Sequence, residues 1–298
     1  MRLVTFKDAD AARLGALVDN GILDLAAAGK RLGTDVPSSM QDLIEAGPAA
    51  WDAARDLIAQ CPAEDVIAEA PLLSPLPRPV RIRDCSLFLE HMELALKKLG
   101  RTMNPEFKRQ VIYYNADNVH IYGHDADVPW PRASDWIDYE LEWACVVGRP
   151  GVNVAPERAG GHIFGFTIFN DWSARDLQFP FMDAGLGPGA GKDFANSLGP
   201  CIATPDEFAD PYKLNMEARI NGEIWSQGAT DSMFHSFEDA IVQLSADRPL
   251  VAGEVMGSGT VLRGCGFELE RKLAIGDLVE LEIEGIGILR NRVVAQEA

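Results

Sequence analysis

Glu140 and Glu142 stand one residue apart in Asp138-Tyr139-Glu140-Leu141-Glu142-Trp143, and Asn170-Asp171-Trp172-Ser173-Ala174-Arg175-Asp176 follows about one strand length later. Successive side chains of a strand alternate between its faces, so positions 138, 140 and 142 point the same way. Carboxylates crowded on one face repel unless water or a cation screens them. A hard divalent cation turns that repulsion into a binding site. The same alternation occurs in Leu278-Val279-Glu280-Leu281-Glu282-Ile283-Glu284, which reads as an ordinary half-solvated strand. Spacing alone therefore leaves Glu140 and Glu142 open between cation ligands and a solvated face.

Other residues offer chemistry at lower specificity. Leu186-Gly187-Pro188-Gly189-Ala190-Gly191-Lys192-Asp193 has the look of a phosphate loop, but Leu186 and Asp193 occupy places where that loop needs Gly and Ser or Thr. The glycines either let the backbone approach a ligand with Lys192 aimed at it, or form a turn with a solvated lysine. Asp84 and His91 are seven residues apart and share a face if that segment is helical; His91 also reads as a half-buried surface histidine. His120, His124, His162 and His235 lack the spacing of a zinc site. Cys61, Cys85, Cys145, Cys201 and Cys265 are odd in number and widely spaced, as expected of reduced, mostly buried thiols.

The elements that must position these groups are mostly strands. Leu3–Phe6, Ala12–Val18 and Ile22–Leu25 read as strands, with Asn20-Gly21 as a hairpin turn. A helix is expected from about Met40 to Gln60, then a linker marked by Pro71, Pro75, Pro77 and Pro79. Beyond it, Phe88–Leu99 reads as a helix, 137–148 and Gly165–Phe169 as strands, and Met216–Ser226 as a hairpin. Ser236 starts a capping box for a helix to about Leu244, and strands follow at 253–261, 278–284 and 287–294. This order predicts a strand-dominated α+β fold with a small N-terminal α/β domain over 1–72 and a larger domain over 80–298.

A formal net charge of −18 argues against nucleic acid or an anionic membrane as partner, since both repel an acidic surface. No apolar run is long enough to span a bilayer, and residues 1–30 lack a signal-peptide pattern, so a cytoplasmic protein is expected.

Taken in order, Arg83-Asp84 with His91, Asp138-Tyr139-Glu140-Leu141-Glu142, Asn170–Gln178, Gly191-Lys192-Asp193-Phe194 and Gly257-Ser258-Gly259-Thr260 resemble the fumarylacetoacetate hydrolase family. The resemblance runs from about Arg81 to the C-terminus. It implies a mixed β-sandwich or roll, with Glu140, Glu142 and Asp171 as ligands of Mg²⁺, Mn²⁺ or Ca²⁺. It adds Asp84 as a fourth ligand, found in the fumarylacetoacetate hydrolase proper. His91 matches the residue that activates water, Glu268 its carboxylate partner, and Lys192 a catalytic stabiliser of the oxyanion. Arg175, Gln178 and Thr260 match residues around the substrate. A homodimer is also implied.

Two places depart from the family. Ser86 stands where the fumarylacetoacetate enzyme has tyrosine, and Leu94 where short oxaloacetate decarboxylases have glutamate. The segment 101–112, with Arg101, Lys108 and Arg109, reads as a basic lid over an anionic substrate. The expected activity is hydrolysis of a C–C bond in a β-diketo acid such as an acylpyruvate. The alternatives within the family are a 2-keto acid decarboxylase (of oxaloacetate, for example), a dehydratase, or a 2-hydroxyhepta-2,4-diene-1,7-dioate isomerase. Outside enzymes, the alternative is a metal-stabilised binding protein.

The two sets of alternating glutamates separate by mutation. Glu142→Ala is expected to abolish cation binding while keeping the fold, whereas Glu282→Ala changes stability by no more than about 0.5 kcal/mol. Calorimetric cation titration and thermal melts of both variants check this; an unchanged cation content in Glu142→Ala contradicts it.

Overall fold

The computed structural model describes residues 1–296. Its strands form a mixed 11-stranded sheet, a five-stranded sheet and a two-stranded pair, with helices in the connections between strands. The α+β, strand-rich reading of the sequence is thus the observed class. Leu141–Val147 is buried at all seven positions and lies inside the large sheet, between Ile163–Asp171 and Glu254–Gly257. That double-sided burial explains the apolar run Ala144-Cys145-Val146-Val147 at its end. Trp143 anchors the core beneath it, stacked on Phe166 at 4.9 Å between ring centroids and edge-on to Phe237 at 4.8 Å.

Local signals fix the helix boundaries. Ser236 and Asp239 make the expected reciprocal cap on Phe237–Leu244. The helix expected over 40–60 is instead two helices, Met40–Ala46 and Pro48–Gln60. Gly47 takes φ 78°, outside helical space, and Pro48 starts the second helix at the position where a missing N–H costs nothing. The N-terminal strands do not stand apart from the rest of the chain. Arg2–Asp8 pairs with Asn196–Ala203, Leu3 opposite Ile202, so residues 2–67 supply one end of the large sheet. Among the described residues no helix is long and apolar enough to cross a membrane.

Two departures from the sequence reading shape the site. The 137–148 strand is interrupted: Ile137–Asp138 pairs with Ser173–Ala174, Leu141–Val147 enters the large sheet, and Glu140 bridges to Cys265 between them. Asp84 and His91 share no helix, because Asp84 lies on the strand Arg81–Cys85 and His91 on the helix Leu89–Lys98. The intervening turn still brings both to one cavity.

The strand carrying Asp84 runs parallel to Glu254–Gly257, with Gly257 opposite Asp84. Glu254 is fully buried there and pairs with Arg81 at 2.6 Å and Arg83 at 3.0 Å. Removing one partner of a buried ion pair strands the other charge, so Glu254→Ala is expected to cost about 3–5 kcal/mol. Urea unfolding measures this; a loss below about 1 kcal/mol, the range of exposed pairs, contradicts the buried clamp.

Candidate active site

Asp84, Glu142 and Asp171 approach one another from three strands. One oxygen of each lies within 4.8 Å of the others. All three residues are buried, and among the described residues Glu142 Oε2 and Asp171 Oδ1 have no hydrogen-bond partner. A buried anionic oxygen without a donor is costly unless a cation meets it. An all-oxygen set of carboxylates suits a hard divalent ion such as Mg²⁺, Mn²⁺ or Ca²⁺. Thr260 donates to Glu142 Oε1 at 3.2 Å, and Tyr114 donates to Asp171 Oδ2 at 2.5 Å.

The electrostatics divide the carboxylates. Burial, then the neighbouring Asp171, pushes Asp84 well above the usual carboxylate range. Burial, then Asp84 and Glu140, does the same to Glu142. Burial carries Asp171 to about 6 even though Lys192 pulls against it. Glu140 goes the other way. Its burial also favours the neutral acid, but Lys192 and Arg175 outweigh it and hold Glu140 at about 2.

Both oxygens of Glu140 are engaged, Oε2 by Lys192 at 2.5 Å and Oε1 by Arg175 at 2.9 Å. Lys192 is buried and also donates to Asp171 Oδ2 at 2.5 Å, so it is not a solvated turn residue. Arg175 stands behind this pair rather than in the cavity wall. It donates to Asp138 at 2.7 and 2.9 Å and to Gln178 Oε1 at 3.0 Å. Gln178 and Thr260 do line the cavity.

Across the cavity, His91 Nδ1 lies 3.0 Å from Glu268 Oε2, at an angle poor for a hydrogen bond. Glu268 sits on the single-turn helix Gly266–Leu269, and Cys265 Sγ approaches the same carboxylate oxygen at 3.6 Å. Asp138 holds this turn in place. It accepts from the backbone N–H of Gly266 at 2.8 Å and of Phe267 at 2.9 Å while it binds Arg175. Asp138 therefore belongs to the scaffold of the site, although strand alternation placed it beside Glu140 and Glu142.

The cavity between the carboxylates and His91 measures about 280 Å³. The segment 101–112 borders it with Phe107 and Ile112, not with its basic residues. Lys108 and Arg109 are exposed, Arg109 pairs with Glu106, and Arg101 pairs with Asp183. Tyr114 and the tethering role of Asp138 were missed by sequence reasoning. Tyr113-Tyr114 carries no spacing signal, and the partners of Asp138 lie 37 and 128 residues away.

The raised acids give the cation a pH signature. Without a cation they hold more protons folded than unfolded between the ordinary value near 4 and their raised values. They favour folding below about 4, and this contribution is lost as pH rises through about 6 for Asp171 and higher for Asp84 and Glu142. A cation displaces those protons, so the gain in Tm from added Mg²⁺ is expected to grow from about pH 5 to about pH 8. Paired thermal melts across that range measure it; a gain independent of pH contradicts the raised acids as ligands.

The chain as a whole is similar to known proteins. A human mitochondrial oxaloacetate tautomerase is 31% identical over 99% of this chain and 92% of its own. The structure of a fumarylacetoacetate hydrolase from Exiguobacterium antarcticum superposes with a TM-score of 0.80 at 26% identity, covering 99% of this chain and 100% of that one. A maleylpyruvate hydrolase from Sphingobium sp. SYK-6, solved with manganese(II) and pyruvate, shares the fold at 22% identity and a TM-score of 0.76, over 100% of both chains. The family model for the C-terminal part of fumarylacetoacetate hydrolase matches residues 85–294, a span that holds every carboxylate, lysine and histidine of the cavity except Asp84. The chain belongs to the fumarylacetoacetate hydrolase family.

Proposed function

We propose that the protein is a divalent-cation-dependent enzyme that moves a proton between carbon and oxygen of a 2-keto acid, an enol–keto tautomerase with His91 as its base. The observation that carries this reading is the placement of the His91–Glu268 pair across one cavity from a cluster of carboxylates with unpartnered oxygens. Asp84, Glu142 and Asp171 would hold the cation, with Glu140 at the edge of the cluster. When bound, the ion acts as a Lewis acid toward the oxygens of the substrate.

The protein's own groups then have separable tasks. Glu268 faces Nδ1 at 3.0 Å, which leaves Nε2 to take the proton from the substrate carbon and to return one to the enolate oxygen. Lys192, held by Glu140 and Asp171, keeps a positive charge next to the oxygen that becomes negative as the carbon is deprotonated. Arg175 works through Glu140 and Gln178, and Thr260 fixes the orientation of Glu142. The tautomerase named among the relatives supports this reaction over decarboxylation, which needs no base.

Hydrolysis of a β-diketo acid is the second reading. It would use the same base to activate water, and a cavity of about 280 Å³ leaves room for a water molecule beside an acyl group. A binding protein without turnover has no use for a buried His91–Glu268 pair or a buried Lys192.

His91→Ala is expected to lower turnover of the enol form of a 2-keto acid about 10²–10⁴-fold, with cation affinity unchanged. Ultraviolet decay of the enol, with and without Mg²⁺, measures this, and acylpyruvate cleavage is assayed in parallel. Near wild-type rates for His91→Ala in both assays contradict the base.

A further inference from the structure

We infer that the substrate carries an uncharged aryl or alkyl tail beyond its 2-keto acid head, rather than a second carboxylate. This rests on the reading above, in which the head lies at the Asp84–Glu142–Asp171 cluster. The charged and titrating groups of the cavity are Asp84, Glu140, Glu142, Lys192 and His91, and its other polar side chains, Ser86, Gln178, Thr260 and the two tyrosines, are neutral. The remainder of its wall includes Phe88, Met92, Phe107, Ile112 and Met182. These are the walls of a pocket for hydrocarbon.

Charge leads to the same conclusion. Among the described residues, no arginine lines the cavity and Lys192 is its one lysine. Lys192 is already bound by two carboxylates at 2.5 Å each. Arg175 lies behind them, committed to Asp138 and Glu140. Lys108 and Arg109, on the nearest basic segment, are exposed, Arg109 by 75% of its side chain. A tail carboxylate in this cavity would leave water, find no cationic partner and face the acidic floor. The cavity is also roomy for a short diacid, with about 280 Å³ of space. A tautomerase of oxaloacetate gains from a cation for the second carboxylate, and among the described residues no uncommitted one lines this wall.

The test compares tails on a constant head. Phenylpyruvate and 2-oxohexanoate are set against oxaloacetate and 2-oxoglutarate with the Mg²⁺-loaded full chain. Exchange of the C3 hydrogens for deuterium is followed by NMR, and binding of each acid is measured by calorimetry. The apolar-tailed acids are expected to exceed the diacids about 10–200-fold in kcat/KM for exchange and to bind more tightly, the discrimination a hydrophobic pocket supplies. Ile112→Arg is expected to narrow or reverse that preference. Diacids exchanged and bound as well as the apolar acids overturn the inference. Tighter binding of apolar acids with no exchange of any acid upholds the tail and overturns the enolisation reading instead. If Ile112→Arg does not fold, the wild-type comparison decides.

Discussion

Four buried carboxylates crowd together at the site, and among the described residues one lysine and one arginine pair with them. Asp84, Glu140, Glu142 and Asp171 are each at most 8% exposed. Lys192 and Arg175 settle Glu140, and Lys192 reaches Asp171 as well, but Arg175 is also held by Asp138. Among the described residues, Asp84 and Glu142 form no ion pair with a cationic side chain. The interior can keep such groups in two ways, by protonating them or by binding a cation. The upward shifts of Asp84 and Glu142 describe the first. The unpartnered oxygens of Glu142 and Asp171 describe the opening for the second.

Much of the fold works to hold that charge in place. The strand Leu141–Val147 is flanked on both sides, so Glu142 cannot swing to solvent. Gly257 lets the neighbouring strand approach Asp84: a Cβ there would lie 2.5 Å from Asp84 Oδ1 and 2.9 Å from the Phe169 ring. Gly259, at φ +73°, leaves no room for a side chain against the Cys85 carbonyl and donates its N–H to Asp84 at 3.2 Å. Asp138 couples the two halves of the site, since the carboxylate that fixes Arg175 also fixes the turn bearing Glu268. A shift in either half is therefore felt in the other.

The sequence made the strands and the acidic residues legible, because both rest on short-range patterns. Alternation revealed Glu140 and Glu142 as a pair, and the Ser236 capping box marked its helix to the residue. Alternation could not tell Glu142, whose Oε2 has no hydrogen-bond partner among the described residues, from Glu140, which two cationic side chains already satisfy, or from Asp138, which ties down a distant turn. Those distinctions depend on partners 30 to 130 residues away in the chain. The break at Gly47-Pro48 was written locally but lost inside a longer apolar stripe. The basic character of 101–112 was read from composition, whereas the fold turns Phe107 and Ile112 to the cavity and the charges to solvent. That orientation is a matter of packing, and charge counts do not carry it.

Two groups of potential ligands each reach the cavity with at least one member, and they differ in chemistry. Asp84, Glu142 and Asp171 offer oxygen alone, whereas His91, Cys265 and Glu268 offer nitrogen, sulfur and oxygen. The most direct measurement is anomalous diffraction from crystals of the protein grown with Mn²⁺. One manganese peak per chain, bound by oxygens of Asp84, Glu142 and Asp171, is the expected result. A peak at His91, Cys265 and Glu268, or no peak at a concentration that saturates activity, would contradict the carboxylate cluster as the centre on which the site is built.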